Sequence, residues 1–132
     1  MIILKKEFLD KITEHSKKEF PNEACGILAG KGNVVGKVYA MANADKSPQS
    51  YFMDAKEQFK VVKEIRASGI EMTGIYHSHV ASPAYPSEHD IRLAFYPEAS
   101  YVIISLQDMN EPQVRSFKII GSKIIEEEVK EN

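Results

Sequence analysis

Two histidines one residue apart, His77 and His79, are followed eleven positions later by Asp90. On an extended chain alternate side chains share a face, so the two imidazoles point the same way. Their backbones lie ~6.6 Å apart, which lets both rings converge on one ion at ~2.0–2.1 Å. The intervening stretch carries Pro83 and Pro86 and reads as a loop that reverses the chain, bringing Asp90 into the first turn of a following helix. Two imidazoles and one carboxylate leave the fourth position of a tetrahedral ion open, the ligand count of a catalytic rather than a closed structural site. Iron uses the same set, so spacing alone does not choose the metal. Plainer readings stand beside this one. Histidines at i and i+2 of a strand also occur half-buried and satisfied by neighbours. Ser87-x-x-Asp90 is also an ordinary capping box at a helix start. That reading is compatible with catalysis, because Ser87 can accept through one lone pair and still donate its hydroxyl hydrogen elsewhere.

The elements that must position these residues can be read from hydrophobic period. Residues 7–20 predict a helix with Leu9, Ile12, Ser16 and Phe20 on one side, broken by Pro21 and Asn22. Residues 24–29 and 34–41 predict two strands joined through Gly30-Lys31-Gly32-Asn33 as a hairpin. After a polar loop, residues 54–68 predict the clearest helix, capped by Asp54 with Glu57 as its capping-box partner. Its apolar stripe is Ala55, Phe59, Val62 and Ile65, and Gly69 stops it. Residues 72–79 predict the strand that carries both histidines, and residues 87–96 a short helix with Ile91, Ala94 and Phe95 inward. Residues 101–106 predict a central strand, 114–120 and 123–129 two more, and the acidic end is expected to fray. This order fits a layered α/β or α+β domain.

The chain has 132 residues, the size of one ordinary domain, and is expected to form a single domain over 1–132. Hydrophobic residues make up 43% and charged residues 27%, which excludes a disordered chain. The net charge of −2, with bases scattered among acids, gives no nucleic-acid footprint. The opening apolar run ends after Leu4, too short for a signal peptide or a spanning segment, so a soluble, cytoplasmic protein is expected, without membrane attachment. Cys25 is the only cysteine, which excludes an internal disulfide and a multi-cysteine zinc site; it reads as a small buried strand residue. His15 reads as a polar-face residue and His89 as a neighbour turned away from Asp90. Tyr76 and Tyr85 read as core residues with a groove as the alternative.

The block from Gly74 to Asp90 resembles the JAMM motif of the MPN-plus metalloprotease family: His-x-His, seven residues, Ser-x-x-Asp, and an upstream Glu. His77, His79, Ser87 and Asp90 meet it, with 80–86 as the seven, and Glu23 stands before the first core strand where the family's catalytic Glu stands. By its own position alone Glu23 reads as a solvated turn residue. One departure is Val80, where the family usually has Pro. The resemblance covers roughly residues 7 to 110. It implies a single-domain MPN (JAB) fold, an α/β architecture with a mixed, mostly antiparallel sheet flanked by helices and layered like cytidine deaminase. It further implies one zinc ion (Zn2+) per chain on His77, His79 and Asp90, with Glu23 as general base and Ser87 as oxyanion donor. The implied reaction is hydrolysis after the C-terminal Gly-Gly of a ubiquitin-like or sulfur-carrier β-grasp protein, at an isopeptide or peptide bond. Such a short chain is expected to thread one tail as an extended strand along a sheet edge, with modest linkage selectivity. The resemblance leaves a homodimer open, as well as a non-catalytic scaffold on the same fold. A nucleobase deaminase would need a Pro-Cys-x-x-Cys ligand pair that one cysteine cannot supply.

Overall fold

Why the histidine strand is central follows from its composition. Residues 73–79 are buried along their whole length, and only a strand with neighbours on both sides and cover on both faces is buried so completely. The computed structural model describes residues 1–132. In chain order the elements are β1 (Ile2–Ile3), α1 (Lys6–Glu19), β2 (Cys25–Lys31), β3 (Val34–Met41), α2 (Ala55–Ala67), β4 (Glu71–His79), α3 (Glu88–Arg92), β5 (Ser100–Ser105), β6 (Gln113–Ile120), β7 (Lys123–Glu127) and β8 (Val129–Lys130). The strands form one sheet in the order β7-β6-β5-β4-β2-β3-β1-β8. β4 lies antiparallel to β2 and parallel to β5, with Cys25, His77 and Ile103 in one cross-strand row. The sheet is therefore mixed, as expected.

β7 and β8 are separated by Glu128 alone yet occupy opposite ends of the strand order, so the sheet curls until its two edges meet. Glu127 closes the seam: its carboxylate accepts from the Met1 ammonium at 2.9 Å and from the Ser116 hydroxyl at 2.8 Å. The expected strand over 123–129 is thus two, because the chain changes edge at Glu128. β8 is tied to the N-terminal segment, since Leu4 N–H donates to Lys130 C=O at 2.7 Å, and only Glu131 and Asn132 follow it.

Alternation along the strands makes two cores. Leu28, Tyr76, Val102 and Ile104 pack with Ile12 of α1 on one face. Ile27, Ile75, Tyr101 and Ile103 pack with Val61 and Ile65 of α2 on the other. His77 and His79 share the parity of Ile75 and so belong to the α2 face. Several expected inward residues are outside. In α2 the buried pair is Val61 and Ile65, whereas Phe59 is 67% exposed and Val62 partly so. Phe59 and Val61 are ~200° apart around the helix, so burying one turns out the other. Glu57 caps nothing in its own helix; its carboxylate accepts from Ala42 N–H at 2.9 Å, tying α2 to the end of β3, while Asp54 does accept from Glu57 N–H. Phe20 is also exposed. α3 ends at Arg92 rather than at residue 96; Pro97 disfavours helical backbone at Tyr96, and the chain has already left the helix at Leu93. Phe95 is consequently 70% exposed. Gly69, at φ +70°, ends α2 in the left-handed conformation that glycine adopts without strain.

Candidate metal centre

The three donor residues reach the site by two devices. β4 delivers His77 and His79 from adjacent positions of one face, and α3 delivers Asp90 through a complete capping box. Ser87 Oγ accepts from Asp90 N–H at 3.1 Å, and Asp90 Oδ2 accepts from Ser87 N–H at 2.9 Å. The same Oδ2 lies 3.1 Å from His77 Nε2 and 3.0 Å from His79 Nε2, and the two Nε2 atoms are 3.2 Å apart. All three side chains are buried. The sequence reading and the capping-box reading therefore hold together in one carboxylate.

The triangle of donor atoms fits an ion. Tetrahedral zinc at ~2.0–2.1 Å places neighbouring ligand atoms about 3.3–3.4 Å apart, close to the edges seen here. His79 Nδ1–H donates to Pro83 C=O at 2.9 Å, so the neutral ring turns its lone pair on Nε2 toward the other two acceptors. His77 Nδ1 is buried without any hydrogen-bond partner. Two lone-pair nitrogens and a carboxylate oxygen facing one point is an arrangement that a cation relieves.

With protons on the Nε2 atoms in place of an ion, the same contacts become charge-assisted hydrogen bonds, and their pull on Asp90 has the sign of a cation's. Burial acts to raise the Asp90 pKa, but the His77 charge and hydrogen bonds from both imidazoles and Ser87 N–H hold it well below the usual carboxylate range. Burial disfavours a charged His79, yet Asp90, Pro83 C=O and Glu23 together raise its pKa. Glu23 sits in the turn before β2, 4% exposed, so it is not the solvated turn residue its position alone suggested. Burial pushes its pKa up to about 8, with His79 opposing and Asp90 adding to the rise. Its Oε1 has no hydrogen-bond partner. Glu23, His79, Val80, Ser82 and Ser87 line one cleft of about 230 Å³, closed on the far side by Pro48 and Gln49. Val80 stands at the rim, touching the cleft without offering a ligand atom.

Three side chains of the site, those of Asn43, Tyr51 and Ser78, carry no spacing pattern. Asn43 Nδ2 donates to the carbonyls of Glu23 and Ser50, both at 3.0 Å, while its Oδ1 accepts from Asp45 N–H and Phe52 N–H. Ser47 C=O accepts from Glu23 N–H at 2.9 Å, so residues 43–53 grip the Glu23 peptide from both sides. The Tyr51 ring lies stacked on His77, centroids 4.7 Å apart and planes at 26°. The only legible hint was Asn43-Ala44-Asp45 as an Asx turn. The third, Ser78, turns to the opposite face, where its hydroxyl accepts from Ala24 N–H at 2.8 Å and so fixes the residue next to Glu23. His89 and Cys25 stay outside the donor set, as expected. His15 reaches further inward than expected, with Nδ1 2.7 Å from the hydroxyl of the fully buried Tyr76.

Comparison with known proteins gives this geometry its relatives. Residues 5–120 match the family described as prokaryotic homologs of the JAB domain. A CysO-cysteine peptidase of Mycobacterium tuberculosis is 34% identical over 131 residues, covering 98% of this chain and 90% of that one. A Thermus thermophilus protein named as the probable cleaving protease of TtuB-protein conjugates is 34% identical over 96 residues, 72% of this chain and 64% of its own. Among solved structures, a protein of Desulfitobacterium hafniense superposes with a TM-score of 0.89 at 44% identity, covering 98% of this chain and 91% of that one. A JAB1/MPN domain protein from Archaeoglobus fulgidus shares the fold at a TM-score of 0.63 and 19% identity, over 98% and 95% of the two chains. The chain belongs to the prokaryotic JAB-domain family, of the JAMM/MPN type, and is a metallopeptidase of that kind.

Proposed function

We propose that this enzyme is a zinc peptidase that hydrolyses the bond after the C-terminal Gly-Gly of a ubiquitin-like or sulfur-carrier protein. The observation that carries it is the buried triangle of His77, His79 and Asp90 beside the unpartnered carboxyl of Glu23. The relatives' names supply the substrate class, a CysO-cysteine adduct and TtuB-protein conjugates. His77, His79 and Asp90 would hold the ion. When bound, zinc supplies Lewis acidity, which makes water a competent nucleophile near neutral pH.

The remaining steps belong to the chain. Glu23 takes the proton of the attacking water as its oxygen bonds to the scissile carbonyl carbon, and later gives that proton to the leaving amine. Burial favours the protonated carboxyl and a cation on the neighbouring donors would favour the carboxylate, opposing pulls that suit a group that must both accept and return a proton. Ser87 is exposed at the cleft with its Oγ accepting from Asp90 N–H, which leaves its hydroxyl hydrogen free for the carbonyl oxygen as that oxygen gains charge. The cleft opens to the surface beside Glu23, His79 and Ser87, where a substrate chain can reach all three.

The test has two parts. Elemental mass spectrometry of the purified protein should find near one zinc per chain in the wild type and almost none in a His77→Ala/His79→Ala double variant. The wild type should then cleave ubiquitin-like substrates ending in Gly-Gly followed by an amino acid or a lysine-linked protein. A zinc-loaded wild type inert on both substrate kinds would overturn the peptidase assignment and favour a binding scaffold on the same fold.

A further inference from the structure

The two histidines do the same work and are held by different means. His79 has the usual partner of a metal-binding imidazole, a backbone carbonyl on its far nitrogen, that of Pro83 at 2.9 Å. His77 has none: its Nδ1 is buried and unpaired, in a side chain that is 1% exposed. What does lie against the His77 ring is the face of Tyr51, stacked with centroids 4.7 Å apart.

Tyr51 is itself held firmly. One side chain, Asn43, bonds the residues immediately before and after it, donating to Ser50 C=O and accepting from Phe52 N–H. The base of the same loop is closed by a bridge between Asn43 and Met53 and by Ala44 N–H donating to Phe52 C=O at 2.7 Å. We propose that Tyr51 is the positioning residue of His77, its ring face doing for that imidazole what the Pro83 carbonyl does for His79. This rests on the metal-site reading above. It adds a residue that the motif does not contain, and it assigns the work to the ring and not to the phenol hydroxyl.

The experiment is zinc affinity, measured by competition with a chromophoric chelator, together with the visible absorption of the cobalt-substituted protein. Tyr51→Phe keeps the ring and should keep both the affinity and the cobalt spectrum of the wild type. Tyr51→Leu removes the planar face and should weaken zinc by about 10–100-fold, the usual cost of losing a group that orients a ligand. It should also alter the cobalt bands. Met53→Ala is the structural comparison: Met53 is in the same loop and the same core and does not stack on either histidine, so it should lower the melting temperature and leave zinc affinity alone. Asn43→Ala, which frees the residues flanking Tyr51 without changing its ring, should weaken zinc in the same direction and tests the idea should Tyr51→Leu not fold. Wild-type affinity in Tyr51→Leu, equal weakening in Tyr51→Phe, or equal weakening in Met53→Ala would each overturn the assignment. A wild type that binds no zinc would overturn the metal site and this inference together, whereas a zinc-binding wild type with an indifferent Tyr51→Leu overturns only the latter.

Discussion

Two loops wall the site, and they are built on opposite principles. Residues 80–87 join β4 to α3 and make their contacts locally. Pro83 C=O holds His79 four residues back, and Ser87 and Asp90 hold each other at a spacing of three. A buried Ala84 and the Ser105 hydroxyl, 2.6 Å from Ser82 C=O, anchor the loop to the sheet. Residues 43–53 work at a distance. They reach across to Glu23 through Asn43 and Ser47 and to His77 through Tyr51. The first loop carries Asp90 to the two histidines of β4 and holds the far side of His79; the second places Glu23 and one imidazole relative to them. Losing the donor that the first delivers should therefore remove the metal, and losing a residue of the second should mistune a site that still exists.

The largest effect is expected from Asp90→Ala, which strips one donor and leaves the two Nε2 atoms, 3.2 Å apart, without the carboxylate between them. Zinc content should fall to almost none by elemental mass spectrometry. Melting in the presence of chelator should show a further loss of about 1–3 kcal/mol, because Ser87 N–H loses its acceptor. Zinc retained in this variant would dissolve the distinction between the loops.

Next comes Glu23→Gln, expected to keep zinc and lose about 10²–10⁴ in kcat, the typical worth of a positioned proton acceptor. Full activity would remove Glu23 from its role. The same variant has a signature in the metal-free protein. Burial raises the Glu23 pKa from 4.5 to about 8, so the fold prefers the neutral carboxyl. Stability from this preference is complete below about pH 4.5 and is lost as pH rises through about 8. Thermal melts of the metal-free wild type should fall across that window, and those of Glu23→Gln should fall less. Equal slopes would show that Glu23 is not buried as described.

Asn43→Ala sharpens the comparison from the other side. It leaves two carbonyls without a donor and two N–H groups without an acceptor. At saturating zinc, kcat should drop by about 10- to 100-fold, the scale of a misplaced reacting group. Combined with Glu23→Gln it should cost little more, since at saturating zinc it acts through Glu23; additive losses would mean that it acts on the rate through Tyr51 and His77 instead.

What could be read from the sequence follows the same division. His77, His79, Ser87 and Asp90 sit at spacings fixed by strand alternation and helix capping, so period and motif suffice to bring them together. Glu23 was legible only through family resemblance, because nothing local announces that Ser47 and Asn43 will bury it. Tyr51 was not legible at all: it lies in a polar loop, and its partner is set by how the sheet brings that loop over β4. The fold shows the same limit. Long strands and both main helices follow from period, whereas β1 and β8 exist only because the curled sheet brings its edges together. The buried side of α2 was misjudged for a related reason. Phe59 is more apolar than Gln58, but the face is chosen by the helix's fit on the sheet, which takes Val61 and Ile65.

Cys25→Ala should change least, and it tests whether nearness to the site is enough to matter. Cys25 stands directly opposite His77 across the β2–β4 ladder and is fully buried. Its thiol lies 3.7 Å from Ala42 C=O, and burial, reinforced by the surrounding carboxylates, pushes its pKa up to about 12. At neutral pH it is therefore a neutral apolar group, neither ligand nor nucleophile. Removing one buried sulfur should cost about 1 kcal/mol of stability, comparable to a buried methylene, and leave zinc content and cleavage rate at wild-type values. A dead Cys25→Ala with normal zinc and an intact melt would mean that the strand beside His77 positions the ring as the Tyr51 loop does. The site would then rest on three supports, and the two-loop division would be incomplete.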